Sequence, residues 1–223
     1  MKVLAIESST PCGNVAIADG EKTLVARRLT RNAEELASSV DEILAETSTP
    51  KSAVGLVAVS AGPGFFTSLK VGAAAAKAFA FALDIPIAPV PSLEILAAGA
   101  DCPAPCSVCA AIDARSGLFF WARFEKRGET LKRVSEDALA TAGELAAIAA
   151  KLKAEAGTDG FMAALQESGG RGAAAKPPSP VFTVLRAEAS VCAALGTRLL
   201  KLGKTETASS FSPRYLRDDL YRA

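Results

Sequence analysis

Residues 54–83 read VGLVAVSAGPGFFTSLKVGAAAAKAFAFAL. An uninterrupted apolar run leads into a turn holding Gly62, Pro63 and Gly64, and then into an alanine-rich run whose polar side chains are only Thr67, Ser68, Lys70 and Lys77. The first run predicts a strand buried on both faces, because a half-exposed strand would alternate. The second predicts a helix from about Thr67 to Leu83. Lys70, Lys77 and Asp84 lie seven apart and form one narrow stripe, so nearly the whole circumference is apolar and small. A surface helix would show a broad polar face. Both sides of this helix therefore need a cover. Its own sheet is one; the other is a further element of this chain or a second protein. Such a strand–turn–helix unit restricts the chain to a layered α/β architecture.

The runs KVLAI, NVAIA and TLVARRL, separated by ESSTPCG and DGEK, open the chain and predict an antiparallel meander. NAEELASSVDEILAET follows, with Leu36, Val40, Ile43 and Leu44 at helical spacing and Asn32 as N-cap. After the alanine-rich helix come a strand in IPIAPV and a short helix from Ser92. Beyond DCPAP, CSVCAAIDAR and GLFFWARFEK predict a hairpin joined at Ser116-Gly117, with RGETLKRV as a third strand, so the opening meander is echoed. TAGELAAIAAKLKAE predicts a helix. Signals weaken over residues 157–180, where ESGGRG and KPPSP mark flexible connections, and VLRAEASVCAALGTRLLKLG restores a helix before the charged, aromatic tail. The expected organisation is a partner-binding N-terminal lobe over 1–103 and a smaller, partly irregular C-terminal lobe over 104–223. The last residues are candidates for packing back on the first lobe.

The chain contains no histidine. This removes Ser/His and Cys/His nucleophilic pairs, the imidazole base, and every metal site that needs an imidazole ligand. A net charge of +1 provides no general attraction to nucleic acid or anionic membrane. The opening MKVLAIESST has one lysine and a short apolar run, which is neither a secretory signal nor a membrane span, so a soluble cytoplasmic protein with reduced thiols is expected. Cys102, Cys106 and Cys109 follow C-x3-C-x2-C, a spacing that can ligate an iron–sulfur cluster. The stronger reading is of ordinary core cysteines in a buried strand.

The glycine turn matches neither G-x-G-x-x-G nor G-x-x-x-x-G-K-[ST]. Phe65 and Phe66 place rings where a phosphate would need open amides, so the turn is read as one that packs a helix against a sheet. No cofactor and no metal are expected.

KVLAIESST, SAGPGFFTSLKVG, AIDARSG and the closing PRYLR occur in the order and at the spacing of the TsaB (YeaZ) family, which the chain resembles over most of its length. The resemblance implies a two-lobed α/β fold of the actin, Hsp70 and sugar-kinase type (ribonuclease H-like), with mixed sheets flanked by helices. It implies a non-catalytic scaffold that activates the catalytic subunit TsaD, joined by the ATPase TsaE. The complex transfers threonylcarbamoyl to N6 of adenosine 37 in tRNAs reading ANN codons. The catalytic relative carries metal-binding histidines on its first helix, where this chain has Asn32 and Leu36. Relatives usually have serine, glycine and arginine at the positions of Phe65, Ser68 and Lys70.

The expected partner surface comprises Leu36, Val40, Ile43, Leu44, Phe65, Leu69, Ala73, Ala76 and Ala80, and the same patch would serve a homodimer in isolation. Glu7, Ser8, Ser9, Asp113 and Arg115 are candidates for a cleft or nucleotide-proximal role. For Glu7 the alternative is a solvated turn residue, and for Asp113 and Arg115 a local ion pair in the hairpin. A second glycine pair for nucleotide binding would be Gly169-Gly170. The six basic residues from Arg198 onward could meet tRNA phosphates or form a solvated face. The rival function is an autonomous nucleotide-using enzyme of the same fold, a small kinase or ATPase.

Overall fold

The opening runs form the meander that their alternation requires: β1 (Lys2–Glu7), β2 (Asn14–Asp19) and β3 (Lys22–Arg28) pair antiparallel in sequence. The computed structural model describes residues 1–103, 105–156, 160–166 and 177–216. The run 54–60 becomes β4 (Val54–Ser60), which joins β1 in parallel, and β5 (Ile87–Val90) continues the sheet in the order β3-β2-β1-β4-β5. α1 (Asn32–Glu46) connects β3 to β4, and α2 (Phe66–Leu83) connects β4 to β5.

Period-two alternation gives this sheet two different faces. Leu4, Ile6, Val15, Ile17, Val57 and Val59 join Leu36, Val40, Ile43 and Leu44 of α1 and Ala73, Ala76 and Ala80 of α2 in one buried core. The intervening positions include Ala5, Ala16, Ala18, Ala58 and Ala88, all fully buried. They form a shallow face covered by α5 (Ala189–Lys201), which contacts β1, β2, β4 and β5. The approach is close at Gly196, where a Cβ would stand 2.5 Å from the Cβ of Ala58.

Residues 187 onward thus belong with Met1–Ile95 in one unit, and Leu96–Arg186 form the other. The sequence-based division at 103/104 is corrected in two respects. The boundary falls inside α3 (Ser92–Gly99), and α5 is part of the first unit because its small residues fit the alanine-lined face.

The second unit is built on β6 (Cys106–Asp113), β7 (Leu118–Arg127) and β8 (Thr130–Arg133), the expected hairpin and third strand. β9 (Ala138–Thr141) also pairs with β7, and β10 (Phe161–Gln166) and β11 (Phe182–Leu185) extend the sheet in parallel beyond β6. α4 (Ala142–Ala156) buries Leu145, Ala149 and Leu152 against Cys109, Ala111, Phe119 and Leu165. Thr141 and Glu144 close its first turn reciprocally, with the Thr141 N–H donating to Glu144 at 2.8 Å and the Glu144 N–H to Thr141 Oγ1 at 3.3 Å. Two sequence expectations change here. β10 lies in the stretch read as weak, and residues 184–185, read as helix, end a strand. Gly169-Gly170 lies outside the described residues.

The tightest approach of α2 to its sheet is at Gly72, where a Cβ would stand 1.9 Å from Ser8 Oγ and 2.9 Å from Ser8 Cβ. Gly72→Val is expected to destabilise the protein by at least about 2 kcal/mol in urea unfolding, because the strand end has nowhere to retreat. Adding Ser8→Gly in the same chain should recover part of that loss.

Candidate functional site

The β1–β2 turn carries the hydroxyls that a nucleotide loop would use. Several of its backbone groups are engaged within the protein. The Ser8 N–H donates to Ser60 Oγ at 2.9 Å, and the Ser9 carbonyl accepts the Phe65 N–H at 2.8 Å. The Asn32 side chain donates to Thr10 O at 2.6 Å and accepts from Gly13 N at 2.7 Å. Asn32 is therefore the first residue of α1 and not its N-cap; Arg31 holds that position without a side-chain cap. Its amide is used to pin the turn. As a result Ser8, Ser9 and Thr10 are all at 0% exposure.

Glu7 is also at 0% exposure, which overturns the reading of it as a solvated turn residue. It ends β1 opposite Asn14 of β2. Asn14 in turn holds the start of α5, donating to Ala187 O at 2.9 Å and accepting the Ala189 N–H. Burial pushes the Glu7 carboxyl up to about 7, a rise that hydrogen bonding from Ser9 only partly offsets and the Glu188 carboxylate reinforces. The Ser9 N–H reaches Oε1 at 2.9 Å, while Oε2 has no hydrogen-bond partner among the described residues. The fully buried Cys192 thiol on α5 is raised as well, first by burial and then by Glu7.

Asp113 and Arg115 belong to the second unit, so the five cleft candidates are divided between the two units. The Asp113 carboxylate accepts the Arg115 backbone N–H at 2.8 Å, which shapes the β6–β7 turn.

The expected partner residues are placed differently from the reading above. Leu36, Val40, Ile43, Leu44, Leu69, Ala73, Ala76 and Ala80 lie between 0% and 5% exposed, on the faces of α1 and α2 that cover the sheet. They serve the core and cannot meet a partner. Phe65 is half-buried just before α2. The free side of α2 presents Thr67, Lys70, Ala74, Ala78, Phe81 and Ala82, and Phe81 is 83% exposed. Beside it, α1 turns Glu34, Asp41, Glu42 and Glu46 outward. α2 is long and apolar enough by composition to cross a membrane, yet Leu69, Gly72, Ala73, Ala76 and Ala80 are buried within its unit. The tail overlies its first turns. Arg214 N–H donates to Ala61 O at 2.8 Å, Lys77 Nζ reaches Phe211 O at 2.8 Å, and the Tyr215 ring tilts against Phe66 at 4.9 Å. The exposed stripe was legible only as the second cover that an all-apolar helix demands; the residues facing it follow from where the sheet lies.

The three cysteines of the run do not share one site. Cys106 and Cys109 are three apart on β6 and so point to opposite faces, and burial raises both thiols to about 12. No cluster of three or more potential metal ligands exists among the described residues.

A family model described as TsaD, tRNA N6-adenosine threonylcarbamoyltransferase, matches residues 26–216. The tRNA threonylcarbamoyladenosine biosynthesis protein TsaB of Haemophilus influenzae is 33% identical over 126 residues, covering 55% of this chain and 53% of that protein. The Escherichia coli protein of the same name is 30% identical over 129 residues, covering 56% of each. The matched stretch thus spans little more than half the length of these curated relatives. The crystal structure of an uncharacterized protein with similarity to peptidase YEAZ from Pseudomonas aeruginosa gives a TM-score of 0.80 at 24% identity, covering 97% of this chain and 99% of that one. YeaZ from Pseudomonas aeruginosa gives 0.75 at 22%, covering 96% and 99%. Both establish the two-lobed α/β fold.

Independently of these likenesses, Glu7 gives the protein a pH signature. Folded Glu7 keeps its proton up to about pH 7, whereas an unfolded glutamate releases it near 4.5. Its contribution is therefore full below pH 4.5, declines as pH rises toward 7 and is level above, a loss on the order of 3 kcal/mol. Glu7→Gln should remove this slope. The unfolding free energy of the variant relative to wild type, measured in urea at about pH 5 and pH 8, should rise by most of that amount.

Proposed function

The chain belongs to the TsaD family and, within it, to the TsaB (YeaZ) group, and on that footing we propose that it is a non-catalytic subunit in the biosynthesis of threonylcarbamoyladenosine in tRNA. It binds and activates the catalytic subunit TsaD, the ATPase TsaE joins them, and the assembly modifies N6 of adenosine 37 in tRNAs reading ANN codons. The observation that carries this reading is the outward stripe of α2. Ala74 and Ala78 allow a partner's backbone to approach closely, and Phe81, 83% exposed, offers a large apolar anchor beside them. Phe65, half-buried just before the helix, is a second candidate contact. With no partner present, a second copy of the chain covers the stripe.

The absence of histidine and the full burial of Ser8, Ser9 and Thr10 support an accessory role over an autonomous kinase or ATPase. The two are separated by reconstitution. The purified chain alone is expected to turn over no ATP, and its addition to TsaD and TsaE with tRNA should stimulate threonylcarbamoyl transfer. ATP turnover by the chain alone, with no stimulation, would refute the proposal.

Phe81→Glu is expected to weaken binding to TsaD by at least about tenfold and to lower modified nucleoside in proportion, while unfolding stability stays within about 0.5 kcal/mol of wild type because the ring is exposed. Binding by calorimetry and nucleoside mass spectrometry read the two effects. Phe65→Ser should weaken the same interaction; unchanged binding would remove Phe65 from the interface.

A further inference from the structure

The first two cysteines of the C-x3-C-x2-C run have no part in the proposed subunit role. Cys106 opens β6 and lies directly across from Lys126 on β7. Lys126 Nζ donates to the Ala98 carbonyl at 2.9 Å and to the Ala100 carbonyl, which holds the end of α3 and the chain leading to Cys102 against the side on which Cys106 points. The Cys102 side chain is close enough to Cys106 to act on its thiol electrostatically. Cys102 is half-buried, and Cys106 borders an open surface cavity of about 200 Å³ together with Ser107, Arg123 and Lys126. Cys109, by contrast, is on the opposite face of β6, packed in the core under α4.

We propose that Cys102 and Cys106 form a redox-active dithiol that an oxidant of the peroxide class closes to an intramolecular disulfide. The partly exposed Cys102 reacts first. Its thiolate attacks one peroxide oxygen, the O–O bond breaks, and the departing hydroxide takes up the thiol proton as water, which leaves Cys102 as a sulfenic acid. Cys106 then gives up its proton and attacks the Cys102 sulfur. The S–S bond forms, the S–O bond breaks, and a second water leaves. Two thiols have supplied two electrons to one peroxide. Burial keeps Cys106 protonated and the Lys126 ammonium acts in the opposite sense, so Cys106 fits the resolving position and not the attacking one. A reducing compartment reopens the bond, so the site is reversible by nature.

The test uses the full chain, treated with a small excess of hydrogen peroxide and then alkylated in denaturant. Of the five thiols, three should remain reactive, and the intact mass of the monomer should be lighter by two hydrogens before alkylation. Peptide mapping should show Cys102 joined to Cys106, and dithiothreitol should restore all five. Cys109→Ser should leave the linkage intact, and Cys106→Ser should leave Cys102 unlinked within the chain. Five reactive thiols after oxidation, a sulfinic acid at Cys102 without the linkage, or a bond from Cys102 to Cys12 or to a second chain would each overturn the proposal. The wild-type map decides the matter even if Cys106→Ser fails to fold.

Discussion

The contact between Gly72 of α2 and Ser8 at the end of β1 sets the geometry of the first unit. Only a residue without a Cβ lets the helix come so near, and this approach brings Ala73, Ala76 and Ala80 onto the large-residue face of the sheet. The same approach draws the start of α2 over the β1–β2 turn, where the Phe65 N–H closes on the Ser9 carbonyl. Helix packing and the loss of an accessible hydroxyl turn are therefore one event. The Ser8 and Ser9 amides at this turn are spent on Ser60 and Glu7.

The two faces of the first sheet are specialised by side-chain size. Branched residues meet α1 and α2, and alanines meet α5, whose own Gly196 matches them. This arrangement uses up the inner sides of all three helices and leaves the outer side of α2 as the one part of that long apolar helix still facing solvent. On α1 the outward Glu34, Asp41, Glu42 and Glu46 are paired with Arg31, Lys51 and Arg27 of the same chain. A partner suited to this surface would bring apolar groups to the alanines and Phe81.

The elements with strong local signals were legible. The opening meander, the buried run 54–60, α2 to within a residue, and the β6–β7 hairpin all follow from period, turn residues and length. β10 was not, because FMAALQ is buried between two neighbours and carries helix-favouring residues in place of β-branched ones; its strand state is imposed by pairing. α5 was recognised as a helix, but its membership of the first unit depends on a contact spanning most of the chain, which no local pattern encodes. The site residues divide in the same way. That α1 and α2 matter could be read from periodicity, yet periodicity marks the buried stripe most clearly, so the residues it picked out were those facing the sheet. The burial of Glu7 could not be read, since it depends on α5 arriving over the end of β1.

That arrival has a temporal side. During synthesis the alanine-lined face of β1, β2, β4 and β5 is made early, and the helix that covers it emerges only after the whole of unit 2 has been translated. The entropic toll of closing so long a loop grows only logarithmically, but the wait is set by the ribosome. Until α5 docks, the nascent chain carries an uncovered apolar sheet, the kind of surface that chaperones hold and that neighbouring chains stick to.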